Sequence, residues 1–426
     1  MDFKERFKQN LLLKITSLNA VVICIRLVIS LVVQRILAVS VGEIGIAKIG
    51  QLRNLVQITT STSSMGIFNG VVKYVAQWRE EHDKLQKLFT TTFVFVFIGS
   101  ILTSIIIFFL ASNISILLFA SSKYTLVIKI LALLPPVIGV NRIFQAIING
   151  LSEYKKFAKI DLISYIISAL SLLVLLNFYG LKGVFYSIIL TPIIQFFIII
   201  LVFGSTLKKF LERKHIKFKV PMAKELLAFT LMSFVSTGLL NYIELDIRTI
   251  ITNKININEA GYWTAMNFIS KNYMVFSSGL FTLYVIPKFA RIGEEKFFFK
   301  EVVSIYKTIL PLFGVGMLLV YLFRAQIVAV VYPNFHGLPQ LFKWQLLGDF
   351  IRLASLVMAH QFLAKKMVKS FVFTELISLS LFYFLSIKFV GVYGTEGVVI
   401  AHFIRNLIIL VIVSYLIKSY FRRSKN

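Results

Sequence analysis

Seven basic side chains lie deep within long apolar stretches of the sequence: Arg26, Arg53, Arg142, Arg248, Lys271, Arg352 and Arg405. Guanidinium and ammonium groups only donate hydrogen bonds, and away from water they make charge-assisted contacts to anionic oxygens such as those of phosphates and carboxylates. A few acids share the setting: Glu244, Asp246 and Asp349, with Asp161 and Glu375 nearer the ends of their stretches. A carboxylate at that depth is a candidate for proton or sodium coupling, and Glu244 and Asp349 are the two best placed. Soluble catalytic signatures are missing: there is no phosphate-binding glycine loop, nucleophile elbow or pair of zinc ligands. His82, His215, His336, His360 and His402 are far apart, and His360 reads as a hydrogen-bonded packing residue. No cofactor or metal is implied.

Spacing sharpens the set. Asn19, Arg26, Ser30 and Gln34 fall on one helical stripe, as do Arg53, Gln57, Thr60 and Ser64. Ser233, Thr237, Asn241, Glu244 and Arg248 form a third stripe, Thr264, Lys271 and Ser278 a fourth, and Gln345, Asp349 and Arg352 a fifth. Arg26, Arg53 and Lys271 have no acid within a turn and stand out as ligand-binding candidates, with Gln57 and Asn241 beside them on the stripes. Glu244 with Arg248, and Asp349 with Arg352, are as readily internal ion pairs as binding residues. Arg35, Arg142 and Arg405 can snorkel toward an interface instead.

The elements that must carry these stripes are membrane helices. Apolar residues make up 58% of the 426 and charged ones 15%, with mean hydropathy +0.82. Runs of 18 or more residues with few charges recur throughout, each long enough to cross a hydrocarbon core of about 30 Å. We read helices over 13–36, 47–72, 86–112, 124–149, 156–178, 182–206, 223–252, 258–286, 301–323, 338–364, 367–389 and 393–419. The expected fold is therefore an all-α polytopic membrane protein of about twelve spans.

A net charge of +27 suggests nucleic acid until it is located. With both termini cytoplasmic, basic residues of the inside segments outnumber those of the opposite loops by about five to one, as the positive-inside rule requires. Most of the charge thus encodes topology, and no nucleic-acid partner is expected. Lys4, Arg6 and Lys8 precede an apolar stretch without a clean cleavage site, which reads as an uncleaved first span. The lone Cys24 excludes an intramolecular disulfide.

One polar linker, residues 208–221, lies near the midpoint. It divides the chain into an N-terminal lobe at 1–207 and a C-terminal lobe at 222–426, six spans each. Outer loops are short, which argues against a membrane glycan polymerase or ligase. Pro135, Pro136, Pro192 and Pro311 fall inside spans and should kink them. Each buried cation would cost about 2.5–3.5 kcal/mol facing lipid at the midplane, so the seven must face a wet cavity or counter-ions.

Four segments carry a family resemblance: Gly66-Ile67-Phe68-Asn69-Gly70-Val71-Val72-Lys73-Tyr74-Val75-Ala76-Gln77, Phe229-Thr230-Leu231-Met232, Ala260-Gly261-Tyr262-Trp263 and Trp344-Gln345-Leu346-Leu347-Gly348-Asp349. They resemble the O-antigen-type polysaccharide flippases of the multidrug/oligosaccharidyl-lipid/polysaccharide exporter superfamily, the enterobacterial common antigen (lipid III) group in particular. The resemblance implies two six-helix lobes around a central cationic cavity. It also implies an inner-membrane protein moving an undecaprenyl-diphosphate-linked oligosaccharide from the cytoplasmic to the periplasmic leaflet, alongside a glycan polymerase and a chain-length regulator. Related flippases have basic residues in spans one, two and eight, here Arg26, Arg53 and Lys271. An acid is expected at the position of Lys271 in the common-antigen group, so the resemblance does not imply an identical sugar. A multidrug or organic-cation antiporter of the same superfamily is the alternative, but it should prefer an acidic lumen.

Overall fold

A computed structural model describes residues 11–210, 218–281, 285–365 and 367–423, all of the regular structure helical. Half of the basic linker, at 211–217, and the side chains of Asn19 and Ser278 lie outside the described residues. In chain order the α-helices are α1 (Leu11–Ser63), α2 (Phe68–Gln77), α3 (His82–Phe109), α4 (Ala111–Phe119), α5 (Thr125–Leu131), α6 (Pro135–Gly150), α7 (Tyr154–Phe210) and α8 (Ala223–Ser233). They continue as α9 (Leu240–Lys254), α10 (Ile257–Leu280), α11 (Ile286–Arg291), α12 (Glu295–Leu322), α13 (Arg324–Val331), α14 (Leu338–Ala364), α15 (Val368–Tyr393) and α16 (Glu396–Arg423).

Among the described residues, eight helices are long and apolar enough to cross a membrane, or nine if the bent pair Ser122–Leu131 and Pro135–Gly150 counts as one span. That bend is 48°, and it falls at Pro135-Pro136, whose rings cannot continue the preceding ladder. Large apolar side chains such as Phe109, Phe178, Leu201 and Leu312 are mostly exposed, the inside-out pattern of a lipid-facing surface. The chain is a polytopic membrane protein.

Two helices exceed a single crossing. α1 has 53 residues and α7 has 57, about 80 Å each at 1.5 Å per residue. Each turns at an internal glycine of positive φ: Gly42 (φ 61°, ψ −167°) and Gly180 (φ 56°, ψ −138°). Only glycine enters that region without steric cost. Gly394, between α15 and α16, repeats the conformation at φ 59° and ψ −145°. The sequences at these turns share a pattern. Tyr179-Gly180-Leu181-Lys182-Gly183-Val184 and Tyr393-Gly394-Thr395-Glu396-Gly397-Val398 both read Tyr-Gly-x-x-Gly-Val, and Gly42-Glu43-Ile44-Gly45 keeps the two glycines. A Cβ on the second glycine would lie 1.8 Å from the Leu175 carbonyl oxygen in one copy and 2.3 Å from that of Phe389 in the other, so neither tolerates a side chain.

The helices form two compact units, Met1–Ala47 with Asp246–Asn426, and Lys48–Leu245. The second is cored by Val71, Val75, Leu88, Phe89, Ile147 and Phe203, on α2, α3, α6 and α7. The first is cored by Phe289, Phe298, Leu353, Val357, Phe362 and Ile417, on α11, α12, α14 and α16.

Candidate functional site

In the unit Lys48–Leu245, Arg53 is half-buried on α1 and Gln57 is exposed one turn further on. Between them Asn54 is buried and links two helices: its Nδ2 donates to the Asn241 carbonyl (3.2 Å) and reaches Glu244 Oε2 (3.5 Å). Helices α8 and α9 are joined by a π-helical turn, Phe234–Leu239, so the stripe from Ser233 to Arg248 does not follow one regular period. Asn241 Nδ2 donates to the Thr237 carbonyl at 2.8 Å, capping the π turn. Asn241 therefore holds its own helix as well as Asn54. Thr60 and Ser64 turn back on their own helix, donating to Val56 and Thr60 carbonyls at 2.8 and 2.7 Å.

Two of the family-like segments meet in this unit. Gly66 (φ +64°) ends the second span, and a Cβ there would lie 2.6 Å from Ser233 Cβ; one on Gly70 would lie 2.8 Å from the Phe229 ring. The backbone of one segment therefore packs directly on the other.

In the other unit, Arg26 is half-buried on α1 and Lys271 is exposed on α10. Asn272 Nδ2 donates to Ser30 Oγ at 3.5 Å, and Tyr332 donates to Gln34 Oε1 at 3.3 Å. Arg26 is one turn before Ser30 and Lys271 precedes Asn272, so these two cations flank one contact between the first span and α10. Arg248 is different. It is 2% exposed, its Nε donates to Thr264 Oγ1 at 2.7 Å, and its guanidinium lies 5.2 Å from the Trp263 ring centroid. Among the other cations, Arg142 stacks on Phe68 at 3.9 Å and Arg35 donates to the Val330 carbonyl.

Asp349 is fully buried on α14, and four side chains donate to its carboxylate: Ser270 Oγ (2.6 Å), Tyr273, Gln345 Nε2 (3.0 Å) and His402 Nε2 (3.0 Å). No ion pair joins it to Arg352 among the described residues, and Arg352 is half-buried a turn away. Arg405 is buried rather than snorkelling: its Nη2 donates to His402 Nδ1 at 3.0 Å and it lies 4.6 Å from the Phe382 ring centroid. His402, Arg405 and Asn406 thus extend the Asp349 stripe onto α16, a connection that the spacing within any one span does not reveal. His360 does pack as read, bonding the Leu356 carbonyl and stacking on Phe281.

Residues 32–334 match the family described as polysaccharide biosynthesis protein. The chain belongs to this family. This polysaccharide biosynthesis family member is 25% identical to the lipid III flippase of Escherichia coli (strain K12) over 371 residues, 86% of this chain and 88% of that one; the lipid III flippase of Shigella flexneri gives the same figures. Its fold is that of a multidrug resistance MATE family transporter of the MOP superfamily in the inward-facing conformation (TM-score 0.72, 12% identity, 94% and 95% of the two chains covered). It is likewise that of the lipid II flippase MurJ, inward closed (TM-score 0.68, 17% identity, 94% and 87% covered).

Proposed function

We propose that this family member is a flippase that carries an undecaprenyl-diphosphate-linked oligosaccharide from the cytoplasmic to the periplasmic leaflet of the inner membrane, with both termini cytoplasmic. One observation carries the reading: a chain similar to lipid III flippases over most of its length keeps cations within its spans that packing does not bury. Arg26, Arg53 and Lys271 are the candidates to hold the diphosphate, with Arg352 as a further donor and Gln57 and Asn241 toward the sugars. Arginine and lysine suit that ligand because a diphosphate cannot enter hydrocarbon without replacing its water with charge-assisted donors. Arg248 is better suited to holding α9 against α10 than to touching substrate.

Transport is by ion-coupled alternating access, with Glu244 and Asp349 as the coupling carboxylates and no covalent chemistry. Two six-span lobes, 1–207 and 222–426, are supported by the Tyr-Gly-x-x-Gly-Val repeat at Gly180 and Gly394. The test is complementation of a deletion strain with Arg53→Ala at unchanged protein level. Surface glycan should fall to the level of the deletion, and undiminished export would remove Arg53 from the site.

A further inference from the structure

The cluster on α10, α14 and α16 holds a histidine whose two nitrogens are set by their neighbours. A guanidinium only donates and a buried carboxylate accepts, so His402 Nδ1 accepts from Arg405 Nη2 while Nε2 carries the hydrogen given to Asp349 Oδ1. Asn406 Nδ2 donates to the His402 carbonyl at 2.9 Å and lies 3.5 Å from Nδ1, steadying the residue from its own helix. The ring lies against the backbone of α14, since a Cβ on Gly348 would come within 2.4 Å of His402 Cδ2. This glycine precedes Asp349 and allows the approach.

In this arrangement the imidazole is neutral and its one free lone pair is occupied by Arg405. A proton arriving at Nδ1 meets an N–H donor and a like charge at 3.0 Å. Both cannot stay. The charged groups within electrostatic reach of His402 are Asp349 and Arg352 on α14 and Arg405 on its own helix; Tyr273 of α10 reaches it through Asp349. Glu375 on α15 is within reach of both Arg405 and Arg352.

We propose that Asp349 takes part in coupling through His402, which is the proton-binding site of this cluster, and that proton and Arg405 alternate on His402 Nδ1. The proton comes from water and returns to it, and no other bond changes. When it binds, the imidazolium stays paired with Asp349, and Arg405 leaves toward Glu375 on α15. When it departs, Arg405 returns to α16. The side chain, stacked on Phe382 of α15, thus exchanges an N–H contact to His402 on its own helix for one to Glu375 on α15, which is the kind of two-state element that can couple an ion to a conformational change. The inference rests on the transport reading above and makes the proton the coupling ion.

The test uses the full-length protein in detergent micelles, labelled with 15N-histidine and titrated with protons alone. Five histidines make the spectrum assignable, with His402→Gln identifying the signal. The wild type should show the Nε2–H tautomer at His402. In Arg405→Gln its protonation midpoint should rise by about one pH unit or more, roughly tenfold in proton affinity. Asp349→Asn should lower the midpoint by a similar amount and serves if the arginine variant does not fold, with the other four histidine signals reporting the fold. An Nδ1–H tautomer in the wild type, or a midpoint indifferent to both substitutions, overturns the proposal.

A second arm reads export in a deletion strain. His402→Gln keeps a donor toward Asp349 but cannot take a proton, so export should fall by roughly tenfold or more at unchanged protein level. Export by His402→Gln at the wild-type rate, with wild type restoring the glycan, overturns the coupling role and leaves the flippase reading intact. Failure of the wild type itself to restore export overturns both.

Discussion

Arg248 and Lys271 lie on neighbouring helices of one compact unit, and the fold treats them in opposite ways. Arg248 is enclosed, bonded to Thr264 and stacked on Trp263; Lys271 is exposed beside the contact of Asn272 with Ser30. A cation enclosed between neighbouring helices maintains the packing, whereas one with an exposed side chain can be reached by an anion. In the same way Arg405 is buried against His402, whereas Arg26 is half-buried.

On that division, Arg248→Ala should show the largest loss of stability, about 3–5 kcal/mol, because it empties a buried site and removes both the Thr264 bond and the Trp263 contact that join α9 to α10. Thermal unfolding in detergent would show it, and an unchanged midpoint would erase the contrast. Next comes Gly348→Ala. The new methyl must displace the His402 ring from α14, at about 1–3 kcal/mol, and the same titration spectrum should show His402 losing its tautomer. Asn54→Ala should cost about 0.5–1.5 kcal/mol, since it removes one donor shared by the Asn241 carbonyl and Glu244. Lys271→Ala should be the mildest for stability, within about 0.5 kcal/mol, yet lower export by about tenfold. A Lys271 variant that unfolds, or an Arg248 variant that is stable but inactive, would reverse the assignment of the two residues.

Much of this was legible in the sequence because membrane helices depend mainly on composition and length. Hydropathy placed α14 at 338–364, where it is found; the span at 223–252 falls within the described helical segment, and that at 301–323 overruns α12 by one residue. The turns were less visible. Gly42 and Gly180 let two crossings run as one helical segment, a backbone property that hydropathy does not carry. The π turn at Phe234–Leu239 was hidden because nothing in its composition marks a five-residue hydrogen-bond period. The polar stripes placed Asp349 beside Arg352, its neighbour in sequence, and left open whether the two form an ion pair. Of its actual partners, Gln345 shares the stripe on α14, while Ser270, Tyr273 and His402 come from α10 and α16, where only tertiary packing brings them together. One signal was available: His402, Arg405 and Asn406 fall at i, i+3 and i+4 on an otherwise apolar helix, the same pattern that drew attention to the other stripes.

The account stands most directly on where a lipid-linked intermediate collects when the protein is missing. In a clean deletion lacking paralogues, mass spectrometry of the undecaprenyl-diphosphate-linked fraction should find a complete oligosaccharide unit accumulating, and it should sit on the cytoplasmic leaflet. Normal surface glycan with no accumulated intermediate would contradict the claim.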